Sequence, residues 1–132
     1  MKSPRIMFLY GFFIVICSGI AFLMAPDKSR AMTALYAGGG SAFLMWICAA
    51  MAMQIERTRA IGMIGIHVGM VLPFLFAIEF GRRSWKNFHA PEKEYLAIIF
   101  AIMAVGSIVA FAAILLTRPS KADRAAAPRS AD

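Results

Sequence analysis

The chain has 132 residues, 61% of them hydrophobic and only 16% charged, with 14 Lys and Arg against 7 Asp and Glu for a formal net charge of +7. Soluble domains run near about 45–50% apolar and about 25% charged, so this composition excludes most soluble enzymes and calls for a bilayer as solvent. The basic residues fall between apolar runs rather than on one cluster, which is the pattern of membrane loops and not of a nucleic-acid-binding face.

Four uninterrupted apolar stretches, 6–25, 31–53, 60–80 and 96–117, are each long enough to cross. Roughly 20 residues at about 1.5 Å each span a hydrocarbon core of about 30 Å. Without water, each backbone N–H and C=O must be paired within its own segment, so the stretches are helices. Lys2 and Arg5 ahead of the first run also fit a secretory signal. That run is too long for an h-region, however, and cleavage after Ala25 would put Leu23 where a small residue is needed, so it is read as a span. Short connectors, 26–30, 54–59 and 81–95, make neighbouring helices antiparallel. The expected fold is all-α, an integral membrane four-helix antiparallel bundle with short loops over 1–117. A basic, disordered tail rich in Ala, Arg and Ser follows over 118–132.

The side holding both termini carries Lys2, Arg5, Arg57, Arg59, Arg118, Lys121, Arg124 and Arg129. The other side carries Lys28, Arg30, Arg82, Arg83, Lys86 and Lys93. Eight against six favours termini on the cytoplasmic side of an inner or cytoplasmic membrane.

Small residues mark where the helices meet, because lipid tails are as apolar as Leu and helices associate through close packing. Gly11, Ser18 and Ala25 recur every seven residues in the first span, and Gly38 to Ala42 opens the second. In the third, Gly62, Gly65 and Gly69 fall within about 60° of one another and share their face with Pro73. Pro73 lacks an N–H, so the Gly69 carbonyl loses its usual partner and a kink or hinge is expected there. The fourth span has Ala97, Ala101 and Ala104 on one side and Gly106, Ala110 and Ala113 on the other. Two such faces predict two neighbours, one of them from another subunit. The glycines read either as tight packing, the general use, or as a thin, adjustable passage for an elongated ligand. The ten Met residues are read as gap filler.

His67 is the one ionisable residue deep in a span, roughly 140° around the helix from the Gly62 stripe. It is a candidate ligand contact, or else a neutral imidazole bonded to a nearby carbonyl or hydroxyl. No carboxylate lies deep in a span, which removes a proton-coupled antiporter of the small-multidrug-resistance kind. Cys17, Cys48, His67 and His89 lack metal-ligand spacing, and no nucleophile–base set or phosphate loop occurs, so neither a metal, a cofactor nor an enzyme is expected. The segment from Arg82 to His89 sets Arg82, Arg83 and Lys86 beside Trp85 and Phe88. It is either an interfacial anchor or a mouth that collects amphipathic anions.

Tyr10-Gly11, Gly19-Ile20-Ala21-Phe22, Ala34-Leu35-Tyr36-Ala37-Gly38 and Lys86-Asn87-Phe88-His89-Ala90-Pro91 carry a resemblance that covers about 10–116. In these motifs the chain resembles the transmembrane protein 14 family, which includes the plastid fatty-acid-export proteins. It departs from that family where the turn after the first helix reads Met24-Ala25-Pro26-Asp27 in place of Lys-Ala-Gly-Ser, and where Ala34 replaces a Ser. The resemblance implies a small helical membrane protein that moves lipophilic carboxylates, either fatty acids or haem precursors.

The leading expectation is thus a facilitator whose cargo enters near Arg82, Arg83 and Lys86 and slides past His67. Its partners would be membrane lipids, the carboxylate cargo, and a second copy or a larger membrane complex. A second expectation is a non-transporting accessory subunit that packs on a larger complex through the Gly106 and Ala110 face. A third, weaker one is a haem-binding subunit using His67.

Overall fold

Four long α-helices and two short 3-10 turns carry the chain through the described residues, 2–117, of the computed structural model. The expected tail, 118–132, lies outside them. Helix α1 spans Ser3–Met24, α2 Lys28–Met53, α3 Arg59–Phe88 and α4 Glu94–Thr117, with turns at Gln54–Glu56 and Pro91–Lys93. No strand occurs among the described residues.

Local chemistry sets each boundary. Pro4 sits in the first turn of α1, where its missing N–H has no intrahelical partner to lose. At the other end Ala25 is extended, as the residue before Pro26 must be. Asp27 then caps α2 by accepting from the Ser29 N–H at 3.0 Å.

The third connector is shorter than expected. Rather than ending near Phe80, α3 runs 30 residues to Phe88, so the segment from Arg82 to Phe88 is helix and not loop. Charged side chains at a membrane edge do not break a helix, and Glu79 supports this one with ion pairs three and four residues on, to Arg82 and Arg83. The break comes only where Ala90, extended ahead of Pro91, cannot stay helical. At about 1.5 Å per residue α3 is about 45 Å long, enough to reach beyond a hydrocarbon core of about 30 Å.

The helices pack in order around a ring: α1 on α2 and α3 on α4 most extensively, α2 on α3, and α1 back on α4, while α1 and α3 barely touch across the diagonal. Met7, Ile14, Met45, Pro73 and Ile114 are fully buried inside it. Large apolar side chains such as Leu9, Phe12, Ile16, Leu23, Phe43, Phe74, Ile78 and Val105 cover the outside, the reverse of a soluble bundle. All four helices are long and apolar enough to cross a membrane.

Close approaches occur where a side chain is missing. Gly11 admits the Trp46 indole, whose Nε1 donates to the Phe8 carbonyl at 3.3 Å. Gly62 receives Ile55, Gly65 lies on the α2 backbone at Cys48 and Ala52, and Gly69 lies against Met7. Pro73 is buried on the same side of an uninterrupted α3.

The fourth helix departs from expectation. A Cβ on Gly106 would strike the Phe13 ring of α1, and Ala110 is buried. The face expected to be free for another subunit is therefore filled by this chain's own α1. Ala97, on the other side, is also buried, and its carbonyl accepts from the Ser84 hydroxyl of α3 at 2.7 Å. Gly106, Ala110 and Ala97 are thus covered within one chain, while Ala101 is exposed.

Candidate functional site

The two ends of the α2–α3 contact differ in kind. At one end Gly62, Gly65 and Gly69 bring α3 onto the 48–55 stretch, backbone against backbone at Gly65. At the other, α2 presents Ala34, Ala37, Gly38 and Ser41, which are spaced i, i+3, i+4 and i+7 and so fall on one face. None of these is large enough to fill the space facing it. A cavity of about 170 Å³ results, lined also by Ser18 and Ala21 of α1, Phe76, Glu79, Phe80 and Arg83 of α3, and Phe100 and Met103 of α4.

The aromatic wall is ordered by contact. Phe76 and Phe80 lie 6.0 Å apart between centroids, and Phe80 stacks on Phe100 at 6.2 Å. Offset ring pairs at such separations hold one another in place, so the wall opposite the small α2 face is stiff and apolar.

The polar groups belong mostly to one turn of α3. Arg83 Nε donates to a Glu79 carboxylate oxygen at 2.7 Å, and Arg82 donates to the same carboxylate from Nε and Nη2, each at 3.2 Å. Two guanidinium groups share one carboxylate, which leaves the cluster one positive charge in excess. Arg83 and Glu79 line the cavity; Arg82, with 70% of its side chain exposed, stands outside it.

Of the four residues singled out in sequence as ligand contacts, then, only Arg83 reaches the cavity. Arg82 joins it through Glu79. Lys86 is exposed farther along α3 and is not part of the lining. His67 faces outward, with Nδ1 2.7 Å from the carbonyl of Met63 one turn back. A route through the bundle interior past His67 is accordingly not available. Its helical angle puts it on the side away from the glycines that hold α3 to α2.

Ser18, Ser41, Phe76, Glu79 and Phe80 are not among the ligand contacts expected from the sequence, in which Ser18 and Ser41 mark only helix-packing positions. Their signal lay in spacing: the small stripe on α2, the Phe76/Phe80 pair and the Glu79/Arg83 pair each repeat at three or four residues. Elsewhere, Cys17 and Cys48 are buried free thiols, and among the described residues no three His, Cys, Asp or Glu side chains gather where they could hold a metal ion.

Comparison with protein-family models, with curated proteins and with solved structures finds no match to this chain. The chemistry rests on the cavity itself. Its walls are apolar and aromatic, its volume is close to the roughly 150 Å³ that accommodates a benzene ring, and its charged edge is biased toward anions.

Proposed function

We propose that the chain is a multi-pass membrane protein that facilitates the movement of a lipophilic carboxylate, such as a fatty acid or a haem precursor, across an inner or cytoplasmic membrane. The observation that carries this reading is the apolar cavity edged by Arg83 in a cluster with one excess positive charge. The cavity has room for a head group and the first few carbons. A longer tail would lie along the apolar outside of the bundle or in lipid, so recognition would depend on the head more than on chain length. The resemblance of its sequence motifs to the transmembrane protein 14 family supports the same cargo class. The excess of Lys and Arg on the side of the termini supports a cytoplasmic placement for both.

The accessory-subunit reading loses its proposed contact, since Gly106 packs on Phe13 of α1 and Ala110 is buried within the chain.

Flux of a labelled fatty acid into proteoliposomes tests the proposal, at alkaline pH, where spontaneous crossing of the protonated acid is slowest. Wild-type protein should raise the initial rate above that of empty liposomes. Arg83→Gln should lower this protein-dependent rate roughly tenfold, as expected for loss of a charge-assisted hydrogen bond, and Arg82→Gln, which removes the excess positive charge but leaves the cavity lining intact, should lower it less. Equal rates with and without protein would overturn the proposal.

A further inference from the structure

Four hydroxyls on these helices show what a Ser or Thr ordinarily does here. Ser41 donates to the Ala37 carbonyl at 2.8 Å, Ser107 to Met103 at 2.7 Å and Thr117 to Ala113 at 2.7 Å, each one turn back, while Ser3 donates to the Thr117 carbonyl at 2.9 Å. Ser18 is different. It is only 4% exposed, yet among the described residues its Oγ makes no hydrogen bond, not even the equivalent bond to Ile14. The hydroxyl lies instead against Gly38, where a Cβ on the glycine would collide with it, and Ser18 is one of the residues that line the cavity. A buried hydroxyl without a partner costs free energy, so such a group in a native protein calls for an explanation, and a bound acceptor is one.

The depth of Ser18 suits one. Helices α1 and α4 run antiparallel with Ser3 beside Thr117 and Tyr10 beside Ser107, which sets Ser18 about level with Phe100. Phe100 stacks on Phe80, and Arg83 lies three residues beyond, about 4.5 Å along α3 at 1.5 Å per residue. The unpartnered hydroxyl and the guanidinium therefore border one small apolar space at depths that differ by about one helical turn.

We infer that Ser18 is a specificity-determining residue for the cargo's head group: Arg83 meets the charge of a carboxylate through one oxygen, and the Ser18 hydroxyl donates to the other. This rests on the carrier reading above and adds a requirement to it. A ligand must present an anionic group with a second acceptor, so a long-chain carboxylate is held and a long-chain amine is not. Gly38 is part of the arrangement, because any side chain there would push the hydroxyl out of the cavity.

The test uses the full chain in lipid nanodiscs, with dodecanoate and dodecylamine as probes, binding measured by titration calorimetry and stability by thermal unfolding. Wild type should bind dodecanoate and not the amine. Ser18→Ala should weaken dodecanoate binding roughly tenfold while its unfolding midpoint stays the same or rises, because no protein partner is lost. If Ser18→Ala binds dodecanoate as wild type does, the role of Ser18 is overturned and the carrier reading stands. If wild type binds dodecanoate no better than empty nanodiscs do, the carrier reading falls and this inference falls with it. A Ser18→Ala protein that unfolds or loses several degrees would show the hydroxyl to be structural, and would equally overturn the inference.

Discussion

Two hydroxyls between α1 and α4 form a chain with a fixed direction. Ser107 donates its proton to the Met103 carbonyl, so Tyr10, 2.5 Å away, is the donor in the bond between them. The direction decides which side chain can be removed more safely. Tyr10→Phe takes away a donor and leaves Ser107 with its bond to Met103, a loss of about 0.5–1.5 kcal/mol. Ser107→Ala leaves a buried phenol with nothing to donate to, and should cost more, about 1–3 kcal/mol. Unfolding in detergent, followed by helical circular dichroism, should rank the two variants in that order. The double variant should be less destabilised than the sum of the singles, because the orphaned phenol is then gone. A milder Ser107→Ala would mean that the phenol finds another acceptor.

The same distinction between filled and open space governs whole elements. A Cβ on Gly65 would stand 2.7 Å from the Ala52 amide nitrogen and 2.8 Å from the Cys48 carbonyl oxygen, backbone atoms that cannot swing aside. Gly65→Ala must therefore push α3 off α2, and overpacking of this kind costs about 1–3 kcal/mol. Gly39 lies on the open side of α2 with nothing within 4 Å, so Gly39→Ala should be neutral or stabilising by up to about 1 kcal/mol, the helix-propensity difference. Thermal unfolding of the two variants checks both signs. Such contrasts also explain what could be read in advance. The four helices were legible because the length and apolarity of a span depend on one segment at a time. The end of α3 was not, because Arg82 to Phe88 are polar enough to resemble a connector while nothing before Pro91 stops a helix. Which neighbour fills Gly106 depends on how two distant segments align, and so does the cavity, which exists because Ala34 to Ser41 face Phe76 and Phe80. The outward position of His67, by contrast, follows from its angle to the glycine face and could have been drawn from spacing alone.

At the scale of the molecule, α3 lies tightly on α2 at Gly65 while the cavity lies toward Arg83, and the carrier proposed above would have to release what it binds. On that proposal Glu79 is the residue placed to ensure release. Its carboxylate already occupies Arg83 at 2.7 Å, so an incoming carboxylate would compete with one the protein supplies itself, and the proposed cargo would be displaced by the same group on leaving. Binding that is too strong slows exit, just as binding that is too weak prevents entry. Glu79→Gln removes the competitor and leaves two guanidinium groups unneutralised. Dodecanoate should then bind several-fold more tightly, while the maximal rate of flux into proteoliposomes falls. The bundle itself should hold, because Glu79 is 39% exposed and exposed ion pairs add little to stability. Measuring affinity and flux on the same preparation separates this from a simple loss of the site, which would lower both. If Glu79→Gln raised both together, release would not depend on Glu79, and the carboxylate would serve only to hold Arg82 and Arg83 in place.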